Sequence, residues 1–316
     1  MTGFGTYDPR RDPDEPHEPR DANLRTVVCD DLDAKIGSMA ADGFRLDMIV
    51  PADAPKVARM SRGDELVHVC VRAPSRTSIS SAKSSDIWIT GRAGMMYRDL
   101  IPGRLGGKLI ASHIRLTEGG EVPDYVHYHK VRFQMIYCVR GAIKVVYEAQ
   151  GEPFILRPGD CVLQPPEVRH RVLWAEAGSE VVELGMPSVH ETWVEHDLTL
   201  PTPDIDTDRV FNGQRFVRHI ADRQADTNIR DTGISEATEG LADVKVVVLE
   251  GAKFDPREYS TARETVFCFV LSGEVGCKSA DGAPKSLLFG DAFLPSEQPA
   301  ATYVLRSAAK ILLVGI

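Results

Sequence analysis

The chain has 316 residues, a formal charge of −9 and 43% hydrophobic residues. That is longer than a usual single domain and rich enough in apolar side chains for sizeable cores, so two globular domains are expected. The acidic balance, with no dense Lys/Arg cluster, excludes nucleic acid and an anionic membrane surface as main partners. There is no run of 18 apolar residues and no apolar stretch behind a basic start, which leads to the expectation of a cytoplasmic protein.

Taken in chain order, residues 1–22 hold four prolines and nine charged residues with no periodicity that could bury a face, and read as a disordered or extended tail containing His17. Residues 23–94 form a mixed N-terminal extension and linker. A short helix is expected near Asp33 to Ala41, with strands at Arg45 to Val50 and Glu65 to Val71, the latter carrying His68, followed by a Ser-rich loop over 72–86. The texture then changes to short apolar strands separated by Gly and Pro turns: Lys108 to Leu116, Phe133 to Val139, Ala142 to Tyr147, Cys161 to Gln164 and Glu180 to Leu184. Strands this short and evenly spaced indicate a sandwich or barrel.

The same texture returns near the C-terminus in register. Gly119 and Gly141 are matched by Gly251 and Gly273, the Gly159-Asp160 turn by Gly290-Asp291, and the closing run Val181 to Met186 by Ile311 to Ile316. A nearly constant offset indicates a duplicated domain with small deletions. The expected division is a barrel over 95–190, an acidic linker over 191–210 and a second barrel over 211–316. Six cysteines are scattered without CxxC or zinc-finger spacing and are expected reduced and buried.

His127 and His129 stand at i and i+2, on the same face of a strand, so both can reach one ion. Gln134 begins the next strand and His170 another, behind Pro165 and Pro166. Three neutral imidazoles on adjacent strands can form a facial ligand set with open positions opposite. Without an ion, three such rings would be hard to bury together, since each leaves a lone pair or proton to satisfy.

These residues resemble the cupin superfamily. Its first motif, G-x5-H-x-H-x3,4-E-x6-G, is matched by His127, His129, Gln134 and Gly141. Its second, G-x5-P-x-G-x2-H-x3-N, is matched by Gly159, Pro165 and His170. The departures are one extra residue between Gly120 and His127, Gln134 for Glu, Glu167 for Gly and Trp174 for Asn. The resemblance covers about residues 95–316 and implies an all-β chain of two cupin (double-stranded β-helix, jelly-roll) barrels. It also implies one divalent metal held by His127, His129, His170 and Gln134, with Fe first and Zn, Ni, Mn or Cu as alternatives. Gln134 either ligates through its amide oxygen or stands back to hydrogen-bond a water or substrate. With neutral Gln in place of Glu, the ion keeps both positive charges, which favours an anionic ligand.

In the second repeat the ligand positions become Tyr259, Thr261, Val266 and Ala301, so that barrel is expected to hold no ion. Around the first site, Trp174, Ile136, Cys138 and Tyr125 are candidate pocket residues, each with core packing or a surface loop as the ordinary alternative. His113 lies on a strand of undetermined parity, His190 and His196 in the link between repeats, and His219 at the start of the second; structural or solvated roles are expected for these.

The resemblance implies an enzyme: a non-haem iron dioxygenase acting on a small hydroxylated aromatic or a β-diketone-like anion. A zinc or nickel Lewis-acid cupin, similar to polyketide cyclases or isomerases, and a non-catalytic small-molecule-binding bicupin are the alternatives. A homodimer is the expected assembly, since cupin barrel edges are often covered by exchanged strands.

Overall fold

The computed structural model describes residues 25–72, 87–91, 94–221, 228–250, 253–260, 263–278, 284–295 and 300–316. The expected tail with His17, most of the Ser-rich loop, Gly251 and Thr261 lie outside the described residues.

The N-terminal extension is a helix on a small sheet. Asp31 caps the helix Leu32–Ala41 by accepting from the Ala34 amide at 2.9 Å, which satisfies one of the amide groups that a helix start leaves over. Leu32 and Met39 of this helix are buried against the strands Arg45–Val50, Val57–Arg62 and Glu65–Val71, with Met60, Val67 and Val69 in the same cluster. His68 is a buried residue of the third strand. The first of these strands pairs antiparallel with Thr192–Val194, which in turn pairs with His127–His129. The extension therefore continues the sheet that carries the first two histidines. The segment 191–210, expected as a connector, supplies the strand that joins them.

The central barrel encloses its interior between two sheets. One contains His127–His129, His170–Ala175, Ile143–Tyr147 and Phe154–Leu156. The facing sheet contains Cys161–Leu163, Phe133–Arg140, Ser179–Met186 and Ile110–Leu116. The strand Val217–His219 pairs with Cys161–Leu163, so His219 sits buried on the first barrel's edge. His196 binds the Leu46 carbonyl at 3.0 Å and helps anchor the extension.

The duplication holds at the level of single hydrogen bonds. In the first barrel the Gly159 amide donates to the Cys138 carbonyl and the Cys138 amide to the Asp160 carbonyl; in the second, Gly290 donates to Val270 and Val270 to Asp291. Gly159 and Gly290 adopt φ of 97° and 91°, a left-handed geometry that strongly favours glycine. Inside the second barrel, Phe254, Tyr303, Cys268 and Ala301 are buried in one apolar cluster, with Tyr259 and Phe293 packed against it. Among the described residues, the one group of His, Cys or acidic side chains placed to hold a metal is in the first barrel.

The two barrels meet sheet against sheet. Phe133, Met135, Tyr137, Leu163, Val182 and Leu184 of the first barrel share a core with Val244, Val246, Phe267, Phe269, Leu312 and Val314 of the second. Because side chains alternate across a strand, these residues leave Gln134 and Ile136 facing the opposite way, into the first barrel's interior. None of the described helices is long and apolar enough to cross a membrane.

His113 belongs to this seam, its ring 5.4 Å from that of Phe269. Its Nδ1 faces the Arg98 guanidinium at 3.0 Å and its Nε2 faces Glu180 at 2.8 Å. A guanidinium only donates, so Nδ1 accepts and the ring's proton is on Nε2, given to the carboxylate. Burial, together with Arg98 and Arg115, outweighs Glu180 and pushes the His113 pKa down to about 4. Between that value and the ordinary histidine range near 6.5 the unfolded chain binds the additional proton, so stability contributed by the neutral ring is present above this window and is lost as pH falls through it. The thermal midpoint of the protein should drop between pH 6.5 and pH 4, and His113→Gln, which can keep both hydrogen bonds without titrating, should flatten that drop when melting is followed by circular dichroism.

Candidate metal centre

Strand pairing brings the three histidines together. His127 and His129 project from one strand, and His170 lies directly across from His127 in the antiparallel register. All three are buried, with ring centroids separated by 5.1 Å (127–129), 4.2 Å (127–170) and 5.2 Å (129–170). One ring nitrogen from each falls within 4.8 Å of the others.

Hydrogen bonds on the far side of the rings set their tautomers. His127 Nδ1 is 2.8 Å from the Tyr125 carbonyl and His170 Nδ1 is 3.0 Å from the Val168 carbonyl. A carbonyl only accepts, so both Nδ1 atoms carry the proton and both Nε2 atoms carry a lone pair. His129 Nδ1 is 2.8 Å from the hydroxyl of Thr192, the residue paired opposite it. Histidines that ligate a metal are held this way, with the second nitrogen anchored to an acceptor. The donor set fits a divalent ion.

Gln134 is 1% exposed, and its Nε2 donates to Glu183 Oε1. A carboxylate accepts only, so the amide nitrogen faces Glu183 and Oε1 is the atom of Gln134 available to an ion or substrate. Glu183 reaches this place because Ser179–Met186 is the neighbouring strand, with Glu183 opposite Ile136 and Gly185 opposite Gln134. Glu183 places beside the site the acidic side chain that Gln134 removes from the motif position. The signal available in sequence was the parity it shares with Val181 and Gly185, but nothing local tied it to Gln134.

The histidines lie on the wall of a cavity of about 120 Å³. Its walls are mainly aliphatic, formed by Ile110, Ile114, Ile136, Val145, Leu156 and Val172. The volume compares with the cavity of ~150 Å³ that accommodates benzene in another protein, which suits a ligand of about one ring. Two residues from outside the barrel strands also line it: Asp53, from the loop between Arg45–Val50 and Val57–Arg62, and His190, whose ring centroid is 5.5 Å from that of His129. Burial lowers the His190 pKa, so the ring is held neutral.

Of the pocket candidates, Ile136 lines the cavity and the others do not. Trp174 is 36% exposed. Counting in twos from His170 would place it inside, but the register of His170–Ala175 slips at a bulge: Val172 pairs with Val145, whereas Trp174 pairs with Lys144 and Ala175 with Ile143. The extra residue turns Trp174 outward and Ala175 inward. Cys138 is fully buried in the apolar core behind the cavity, where burial and then Asp160 push its thiol up to about 12, so it is no nucleophile. Tyr125 serves His127 through its backbone carbonyl, with its ring packed edge-on at 5.9 Å. Glu167 occupies the motif's second Gly position with φ of 64°, a left-handed conformation that explains why glycine is usual there.

Residues 112–184 match the Cupin domain family. The chain matches no curated protein sequence. Among solved structures it is similar to oxalate decarboxylase from Bacillus subtilis, at 16% identity over 81% of this chain and 85% of that one with a TM-score of 0.46. It is also similar to AerE from Microcystis aeruginosa, at 9% identity over 73% and 96% with a TM-score of 0.47. A third similarity is to protein Ylba from E. coli, at 12% identity over 84% and 94% with a TM-score of 0.43.

Two outcomes follow from these contacts. Thr192→Val removes the acceptor of His129 Nδ1 and should weaken zinc or iron affinity roughly 10- to 100-fold in a competition titration with a chelator. Gln134→Glu removes a donor from Glu183 and sets two carboxylates side by side, so the metal-free protein should lose about 1–3 kcal/mol of stability at neutral pH in urea unfolding.

Proposed function

With the central barrel as a cupin domain, we propose that the chain is a metal-dependent bicupin enzyme: a non-haem iron dioxygenase acting on a small hydroxylated aromatic or β-diketone-like anion. The observation that carries this reading is the convergence of three buried imidazoles, two with Nδ1 tied to backbone carbonyls, on an aliphatic cavity of about one ring's size. His127, His129 and His170 would hold the ion through Nε2, and Gln134 through Oε1. A bound iron would supply activation of dioxygen and of a coordinated organic anion, for which a three-histidine face leaves positions open.

The chain's own groups do the rest. Aliphatic walls exclude water from the cavity and strengthen the electrostatics of any anion held there. Glu183 fixes the Gln134 amide and presents a carboxylate at the cavity wall, where it can take the proton that an acidic substrate gives up on binding. The second barrel backs the sheet that carries Gln134 and Glu183.

The Glu183 carboxylate also favours a second reading, a zinc or nickel Lewis-acid enzyme in which proton transfer is the chemistry itself. Metal analysis of protein purified without added ions, then oxygen uptake with a panel of phenols and β-diketones, separates the two. Iron with uptake is the expected result, and His129→Ala should abolish both metal content and uptake. Zinc without uptake by the iron-reconstituted protein would overturn the dioxygenase in favour of the second reading.

A further inference from the structure

Besides one donor, Arg171 Nε, three buried acceptor atoms lining the cavity have no hydrogen-bond partner among the described residues: Asp53 Oδ1, Gln164 Oε1 and His190 Nε2. Their residues are 9%, 3% and 6% exposed. A buried polar atom left unsatisfied carries an uncompensated desolvation cost, so three acceptors lining one cavity point to an occupant.

The chemistry of that occupant is constrained because all three atoms accept. The Pro187 carbonyl lies 2.9 Å from His190 Nδ1 and must accept from it, so Nε2 holds a lone pair. Arg104 donates to Asp53 Oδ2 at 2.5 Å, fixing the carboxylate with Oδ1 as its other acceptor. Gln164 gives its Nε2 to the Tyr147 hydroxyl at 3.0 Å, and its amide oxygen remains.

The backbone builds this arrangement deliberately in two places. Gly185 faces the interior opposite Gln134, and a Cβ there would stand 3.3 Å from the His190 ring, so the missing side chain makes room for the imidazole. His190 leads directly into Thr192–Val194, the strand that holds His129 on one side and the N-terminal extension on the other. The same extension delivers Asp53. One connection therefore joins the strand of His127 and His129, His190 and the extension that carries Asp53.

We infer that His190 and Asp53, with Gln164 also lining the cavity, form a donor-recognition subsite that binds a hydroxyl group of the ligand. A ligand satisfying the cavity carries an anionic oxygen for the three-histidine face, an apolar single-ring body for the aliphatic walls and a second hydroxyl for this subsite. The inference rests on the metal-centre reading for the anionic oxygen; the requirement for a donor comes from the wall itself.

The test is binding to zinc-loaded protein under nitrogen, by isothermal titration, of catechol and resorcinol, each against its monomethyl ether. These pairs differ by one donor, and resorcinol cannot chelate the ion, so chelation is separated from subsite recognition. At least resorcinol should bind about tenfold tighter than its ether, or ~1.4 kcal/mol. His190→Phe and Asp53→Ala should each bring that ratio to within about twofold, with little change in the ether's own affinity and in zinc stoichiometry. Equal binding of resorcinol and its ether by the unaltered protein would overturn the inference, with water alone completing the three acceptors; so would a preference that survives in both variants. No turnover is needed, so failure of oxygen uptake would sink the dioxygenase while leaving this result standing, and absence of zinc binding would identify failure of the metal reading.

Discussion

The structure depends on one strand, Phe133–Arg140, being buried on both faces. Phe133, Met135 and Tyr137 pack into the seam with the second barrel, while Gln134 and Ile136 line the cavity of the first. Packing at a seam of this kind has little freedom to adjust, because interiors are close-packed and a methylene's change in volume is felt. The position of Gln134, and of Glu183 on the adjoining strand, is therefore set by contacts made outside the barrel that uses them. This gives the second barrel a physical role that requires no ligands of its own. Its interior is filled with Phe254, Tyr303 and their neighbours, and its outer sheet serves as the support.

The opposite sheet is fixed by hydrogen bonds to backbone. Two of the three histidines give Nδ1–H to carbonyls two residues before them, and such local bonds cost little ordering beyond what the turns already impose. His129 depends on Thr192, a residue brought alongside by strand pairing from 63 positions away. The strand that carries Thr192 also joins the N-terminal extension to the barrel, and through it Asp53 reaches the cavity. The metal face and the polar wall beside it are thereby coupled mechanically.

The charge of the site shows how a local substitution is read differently once neighbours are known. Gln134 in place of the motif's acid implies a more positive centre when the motif is considered by itself. Glu183, supplied from the neighbouring strand and hydrogen-bonded to Gln134, brings a carboxylate back beside it. The acid has moved by one strand.

Much was legible in the amino-acid order alone. The two barrels, the repeat and its Gly turns, the helix and strands of the extension, and His127, His129 and His170 as one cluster follow from short-range patterns: alternation, turn residues and spacing along one or two strands. These are decided within a few residues by backbone sterics and burial, so they are written locally. Trp174 was misplaced because alternation assumes an unbroken register, and a bulge is a property of two strands together. Glu183, Thr192, His190 and Asp53 entered the site only through tertiary pairing, from a neighbouring strand, a connector and an extension. Hydrogen bonding between side chains distant in sequence is satisfied only after the chain has closed, and no spacing rule encodes it.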